Sequence, residues 1–314
     1  MNDYKVVVAL GGNAFIRKGE PDDINTQWKN ISLAIKGIVD LIEDGYRVVI
    51  THGNGPQVGK ILEWVSYGNE YVLPMDIAVA MTQGWLGYMI QITMYNELRR
   101  RGLDKRIVCI VNNLVVDRDD PAFSKPSKPI GSYYSKEDAE RLAKSLGWIM
   151  KKDVRGGYRR VVPSPMPIDN LELEPIKDLV SKGYIVVACG GGGIPVVNDD
   201  GYRGVEAVID KDLASSLLAS KLGAEYLLIL TDVDGVYINF NKPGMKKLDR
   251  VSIEEIKRLY SEGQFPPGSM GPKILACIKF LENGGKKAMI GHLTDAYNIV
   301  KGRAGTVIYR DLGR

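Results

Sequence analysis

At four places in this 314-residue chain a run of branched apolar residues breaks straight into a glycine-rich loop: KVVVALGG (5–12), RVVITHGNG (47–55), YIVVACGGGG (184–193) and EYLLILTDVDG (225–235). Runs that are apolar at almost every position and only a few residues long read as strands buried on both faces, the kind found in parallel sheets. Helical signals lie between them. Ile31, Ile35, Ile38 and Ile42 fall on one helical face ahead of Gly45, and Pro74 opens a long helix to about Arg101. Pro175 opens another closed by Gly183, a further helix covers 211–222, and Ser252 with Glu255 forms a capping box for 253–261. RIVCIV (106–111), KAMIGHL (287–293) and GTVIYR (305–310) read as further strands, and a helix follows Met270 to about Asn283. The alternation predicts a mostly parallel sheet with helices on both faces. Ligands of such sheets bind beyond the carboxyl ends of the strands, where all four glycine loops should gather.

One segment interrupts the rhythm. Asp117 to Pro167 is dense in proline, glycine, lysine and arginine, with Ser135 placed to cap a short helix that turns Ala139, Leu142, Ala143 and Leu146 inward. It reads as a small protruding subdomain, either a lid or a surface ornament. The net charge of +4 is small for this length, and the basic clusters Arg99–Arg101 and Lys246-Lys247 sit near helix ends or turns. A nucleic-acid partner would demand a clustered basic stripe, so none is expected. Cys109, Cys189 and Cys277 are odd in number and far apart, which suits reduced thiols. Only His52 and His292 are present, too few for a histidine-rich metal site. No apolar run reaches the length of a membrane span, and the start at Met1-Asn2-Asp3 has no signal-peptide pattern. The expected compartment is the cytoplasm, with no membrane partner.

A glycine pair after a strand lets the backbone approach a phosphate closely. Gly11-Gly12-Asn13 nevertheless lacks the Gly-Lys-Ser/Thr of a P-loop, and Gly53, Gly55 and Gly59 miss the dinucleotide fingerprint, with Pro56 inside it. Positive charge must therefore come from elsewhere. LTDVDGVY (230–237) and GSMGPK (268–273) resemble the nucleotide-side motifs of the amino-acid kinase superfamily. ALGGNA (9–14), THGNGPQVG (51–59), AMTQGWLGY (80–88), DPAF (120–123), KPIG (128–131), RRVVPSP (159–165), GGGGIPV (190–196), GVEAVIDKDLAS (204–215) and PGSMGPK (267–273) together resemble carbamate kinase, in collinear order from about residue 5 to 295.

The resemblance implies a three-layer open α/β/α sandwich in a homodimer. It also implies reversible phosphoryl transfer between ATP and carbamate, giving ADP and carbamoyl phosphate. An N-terminal lobe of about 1–224, carrying the 117–167 lid, would serve the carbamate side, and about 225–314 the nucleotide side. Mg²⁺ would ride on the nucleotide phosphates, without a metal site of the protein's own. Rival readings are a relative acting on acetylglutamate, glutamate or UMP, and a catalytically dead module that binds nucleotide or carbamoyl phosphate.

Phosphoryl transfer asks a protein to align its reactants and neutralise charge on the moving oxygens. Carbamate is already an anion and needs no general base. Many superfamily relatives place a lysine two residues before the first glycine pair, where this chain has Ala9. Lys211 and Lys273 are the replacements that the resemblance implies, with Asp212 orienting both. On the sequence alone Asp212 could simply be a helix cap. Lys128 is either an exposed loop lysine or a cation delivered by the lid, and the resemblance favours the second. The phosphate and carbamate side is assigned Gly11, Gly12, Asn13, Gly53, Asn54, Gly55, Gly190 and Gly191, where Asn13 and Asn54 are either amide donors or turn residues. The nucleotide side is assigned Thr231, Asp232, Asp234, Tyr237, Met270 and Gly271 by resemblance.

Overall fold

The computed structural model describes residues 3–17, 19–21, 23–66, 73–153 and 156–310, the side chains of Asn13 and Ser66 excepted. Its central sheet runs, in spatial order, Arg250–Ser252, Thr306–Tyr309, Lys287–His292, Tyr226–Thr231, Lys5–Leu10, Arg47–His52, Ile185–Val187 and Ile107–Cys109. Neighbours are parallel except Lys287–His292 with Thr306–Tyr309.

The first strand shows how the layers arise. Val6, Val8 and Leu10 point to one face and meet the helices Ile24–Glu43 and Met75–Arg100 through Ile35, Ile38, Leu86 and Ile90. Val7 and Ala9 point to the other and meet Leu173–Ser181, Lys211–Lys221 and Met270–Glu282 through Ile176, Leu218 and Ile274. Both sets are buried, so the alternation of a strand has made two cores and three layers.

Local punctuation fixes several elements. Asp23 caps the first long helix, its Oδ1 accepting from Thr26 N at 2.8 Å, and Ser252 Oγ accepts from Glu255 N at 3.2 Å. Pro74 stands immediately before Met75–Arg100. Other elements differ from the sequence reading. RIVCIV supplies only the short strand Ile107–Cys109, because Asn112 turns the chain away into a second, four-stranded sheet at Asn113–Val116. Asn112 is fully buried and satisfied: its amide donates to Asn170 Oδ1 at 2.8 Å and Glu172 Oε2 at 2.6 Å, and its Oδ1 accepts from Cys189 N at 2.9 Å. The helix expected from Pro175 starts earlier, at Leu173.

Within 117–167 the chain forms its own three-stranded sheet, Lys128–Tyr134, Tyr158–Val162 and Met150–Lys152, beside the helix Lys136–Leu146. Ser135 Oγ caps that helix by accepting from Asp138 N at 3.0 Å. Its expected inward face is a correction, however. Only Ala139 is buried, Leu142 and Ala143 are half-buried and Leu146 is exposed. So small a unit has too little volume to enclose a full helix face.

Candidate active site

At the carboxyl ends of the parallel strands lies a cleft of about 410 Å³. Gly11 and Gly12 follow the first strand into it, Gly53, Asn54 and Gly55 follow the second, and Thr231 and Asp232 close the strand between the two cores. Gly191 joins them from the turn after Ile185–Val187. Its φ of 66° and the Asn54 amide beside it leave no room for a side chain, since a Cβ would come within 2.2 Å of Asn54 Nδ2. Asn54 itself is buried, and its amide donates to Thr82 Oγ1 at 2.8 Å.

Charge enters this cleft from two adjacent helices. Lys211 and Asp212 begin Lys211–Lys221, and Lys273 sits in the first turn of Met270–Glu282. The Lys211 ammonium donates to Asp212 Oδ1, and Lys273 Nζ donates to Asp212 Oδ2 at 3.0 Å, so one carboxylate holds two lysines. Burial opposes the charge of Asp212, but Lys211 and Lys273 keep its pKa below the usual carboxylate value. Burial lowers the pKa of Lys211 despite Asp212 beside it. Lys273 also suffers from burial, yet Asp212 and Asp210 outweigh it and its pKa is raised. A lysine in a first helical turn faces the positive end of the helix dipole, and Asp212 is the anion that relieves this conflict.

Asp212 is not the cap of its helix. That task falls to Asp210, whose Oδ1 accepts from Asp212 N at 2.9 Å. The other oxygen of Asp210 accepts from Lys128, the first residue of the insertion's strand. Burial works against this carboxylate too, but Lys128 foremost holds its pKa well down. Three lysines and two aspartates thus meet at the cleft, leaving one net positive charge among them. The stem of Lys211 runs beside Gly53, where a Cβ would lie 3.4 Å from its Cδ.

Among the nucleotide-side residues, Tyr237 and Met270 line the cleft with Phe240 and Pro266. Three of the sequence-assigned residues do not. Gly190 packs beneath it, its carbonyl accepting from Gln83 Nε2 at 3.0 Å. Asp234 points outward and accepts from Tyr237 Oη at 2.8 Å and Lys247 Nζ at 3.0 Å. Gly271 is buried in its helix, its N–H donating to Pro266 O at 2.8 Å. The Asn13 side chain lies outside the described residues. Asp210 and Arg159 line the cleft although the sequence reading gave them no part. Asp210 stands in the motif GVEAVIDKDLAS, but its partner Lys128 is 82 residues away.

His52 is fully buried, and burial lowers its pKa to about 4. Its Nδ1 lies 3.0 Å from Gly53 O, which places the ring hydrogen there in the neutral form. It packs edge-on against Phe15 and supports the second loop as an uncharged ring.

A family model described as the amino acid kinase family matches residues 5–292. A carbamate kinase of Thermococcus kodakarensis is 50% identical over 313 residues, covering 98% of this chain and 99% of that one. One from Clostridium perfringens is 48% identical over 313 residues, covering 98% and 100%. Among solved structures, carbamate kinase from Giardia lamblia bound to AMP-PNP superposes with a TM-score of 0.90 at 40% identity, covering 98% of this chain and 99% of that one. With a fold of this kind and near-complete coverage by such relatives, the chain belongs to the amino acid kinase family and, within it, to the carbamate kinases.

Proposed function

We propose that Lys128, Lys211 and Lys273 bind the phosphoryl group as it passes between ADP and carbamate, and that Asp212 orients the last two. The observation that carries this reading is the single buried carboxylate between two ammonium groups, facing strand-end glycine loops across one cleft. Carbamate is its own nucleophile, so the chain supplies alignment and electrostatics rather than a base. Backbone N–H groups at Gly12 and Gly55 take one end of the phosphoryl group's path, those of Gly11 and Gly53 donating to Leu230 O and Leu10 O at 2.9 and 3.0 Å, and the lysines take the charge that spreads over its oxygens. The reaction runs in either direction.

Thr231, Asp232, Tyr237 and Met270 hold the nucleotide, joined by Phe240, whose ring lies 6.0 Å from that of Tyr237. When bound, Mg²⁺ would be held by the nucleotide phosphates and would neutralise part of their charge. The donors present suit that arrangement: Asp210 and Asp212 are taken by lysines, and Asp232 is the lining carboxylate outside their hydrogen bonds. Insertion 117–167 acts as the lid that brings Lys128 in.

A homodimer is supported by Ile77, Met81, Tyr88 and Ile92, exposed at helical spacing along Met75–Arg100, with Trp64 exposed on the helix before it. Three free, largely buried cysteines suit a reducing cytoplasm, and no helix among the described residues is long and apolar enough to cross a membrane. The test is ATP formation from ADP and carbamoyl phosphate, dependent on Mg²⁺. Far better phosphorylation of acetylglutamate, glutamate or UMP than of carbamate would defeat the reading, and full turnover after Lys211→Ala or Lys273→Ala would defeat the roles given to those lysines.

A further inference from the structure

The strand Lys128–Tyr134 pairs with Tyr158–Val162, but the ladder slips part-way along. Ile130 stands opposite Arg160 and Tyr134 opposite Tyr158, so Arg159 alone faces Gly131, Ser132 and Tyr133. A bulge of this kind takes backbone groups out of the ladder. Arg159 recovers one of them: its Nε and Nη2 both donate to Gly131 O, at 3.2 and 2.9 Å. Its guanidinium also lies 5.1 Å from the centre of the Tyr133 ring.

At Gly131 the insertion touches the body of the protein backbone to backbone, as it also does where Val208 N donates to Pro163 O at 3.0 Å. The φ of Gly131 is 69°, and a Cβ on Gly59 would fall 1.9 Å from Gly131 Cα. Gly59 belongs to the helix Gly55–Ser66, which begins at the second glycine loop. One turn further on, Glu63 Oε1 accepts from Tyr134 Oη at 2.7 Å, and Ile130 is buried in one cluster with Val58, Ile61 and Leu62. This seam lies three residues from Lys128.

We propose that Arg159 is a positioning residue: by holding the bulged Gly131 carbonyl it fixes the Gly131–Gly59 seam and thereby sets Lys128 over the cleft. The inference rests on Lys128 being a cation that meets the phosphoryl group. Two parallel N–H donors on one oxygen define an orientation that a single ammonium does not.

A double-mutant cycle tests it, with kcat measured from ADP and carbamoyl phosphate and folding checked by circular dichroism and thermal unfolding. Arg159→Ala is expected to lower kcat roughly 10–100-fold, the scale of a misplaced reacting group, with little change in KM for ADP. Arg159→Lys should recover part of the loss. In a Lys128→Ala background, Arg159→Ala should cost nothing more, because there is no lysine left to position. Additive losses would overturn the proposal and make Arg159 an independent contributor. Full kcat in Lys128→Ala alone would instead defeat the role given to Lys128, and the positioning role with it. Should Arg159→Ala fail to fold, Arg159→Gln takes its place in the same cycle.

Discussion

Lys273 and Lys128 carry the same charge into one cleft from very different surroundings. Lys273 stands on a helix whose inner residues Ile274, Cys277, Phe280 and Leu281 are buried in the larger core, and its own ammonium is fixed by the buried Asp212. Lys128 stands on a strand of the insertion, where the neighbouring helix buries only Ala139, and its side chain is 31% exposed. The first cation is preorganised by packing that exists for the fold as a whole. The second is held by a few named contacts, Asp210 and the Gly131 seam. Electrostatic groups act most strongly where they are dry and already in place, so the two lysines should differ in worth.

The largest effect is expected where that preorganisation is removed at its hub. Asp212→Asn leaves Lys211 and Lys273 buried side by side without their carboxylate, a loss of about 3–5 kcal/mol in stability for breaking a buried pair. Denaturant unfolding measures it. The same change has a sign in pH. Asp212 opposes the lowering of the Lys211 pKa by burial, so without it that pKa falls further and the alkaline limb of kcat moves to lower pH. An unchanged midpoint together with an unchanged alkaline limb would remove Asp212 from the centre.

Next comes Lys273→Ala, with kcat down by about 10²–10³, or roughly 3–4 kcal/mol, and a smaller change in nucleotide affinity. Lys273→Arg should rescue only in part, because a forked guanidinium does not fit a point-charge position. Near-normal kcat with a raised KM for ADP would make Lys273 a binding residue only. On the lid side the effect should be smaller. Lys128→Ala, or trimming KPSKPIG, should lower kcat by about 10–10² while calorimetry still finds normal ADP affinity. Loss of ADP affinity in parallel would erase the distinction between the two sides.

Asp210→Asn separates the two duties of one carboxylate. Asparagine caps a helix about as well as aspartate, so the capping part of the stability is kept and the loss is that of the charge-assisted bond with Lys128, about 1–3 kcal/mol. Lys128 loses its charged partner, and kcat should fall roughly threefold to tenfold, within the range for a partly exposed ion pair. A fall as deep as that of Lys273→Ala would mean that Asp210, not Asp212, is the hub.

The two regions also differ in how far the sequence revealed them. Helix ends with a chemical signature were readable: Pro74, Gly183 and the Ser252–Glu255 pair each mark a boundary within a residue or two. The glycine loops were readable as strand ends, because a parallel sheet forces its functional loops to one edge. Asp210 was hidden because a capping carboxylate and a paired one look alike in sequence, and only the fold brings Lys128 to it. Asn112 hid the split of RIVCIV for a similar reason, since its partners Asn170, Glu172 and Cys189 come from distant segments. Arg159 was visible as part of a motif, but its role depends on a bulge that no local pattern announces. The inward face of the lid helix was misread because periodicity states which residues share a side, not whether anything covers it.

That misreading supplies the smallest expected effect and the cleanest contrast. Leu142 on the lid helix is half-buried, whereas Leu218 on Lys211–Lys221 is fully buried in the larger core. Truncating a buried leucine costs the lost transfer energy plus the cavity left behind, about 2–5 kcal/mol. A leucine with few neighbours leaves no cavity, because solvent and adjoining side chains fill the space, so the cost should stay below about 1 kcal/mol. Leu218→Ala should therefore lower the unfolding midpoint clearly, and Leu142→Ala should barely move it. Turnover sharpens the point further. If the insertion is held by its seam rather than by its helix, Leu142→Ala should keep normal kcat, because Gly131, Arg159 and Asp210 still fix Lys128. A Leu142→Ala variant as unstable as Leu218→Ala would show the insertion to be part of the main cooperative core. One that folds normally but loses kcat would shift the positioning of Lys128 from the seam to the helix.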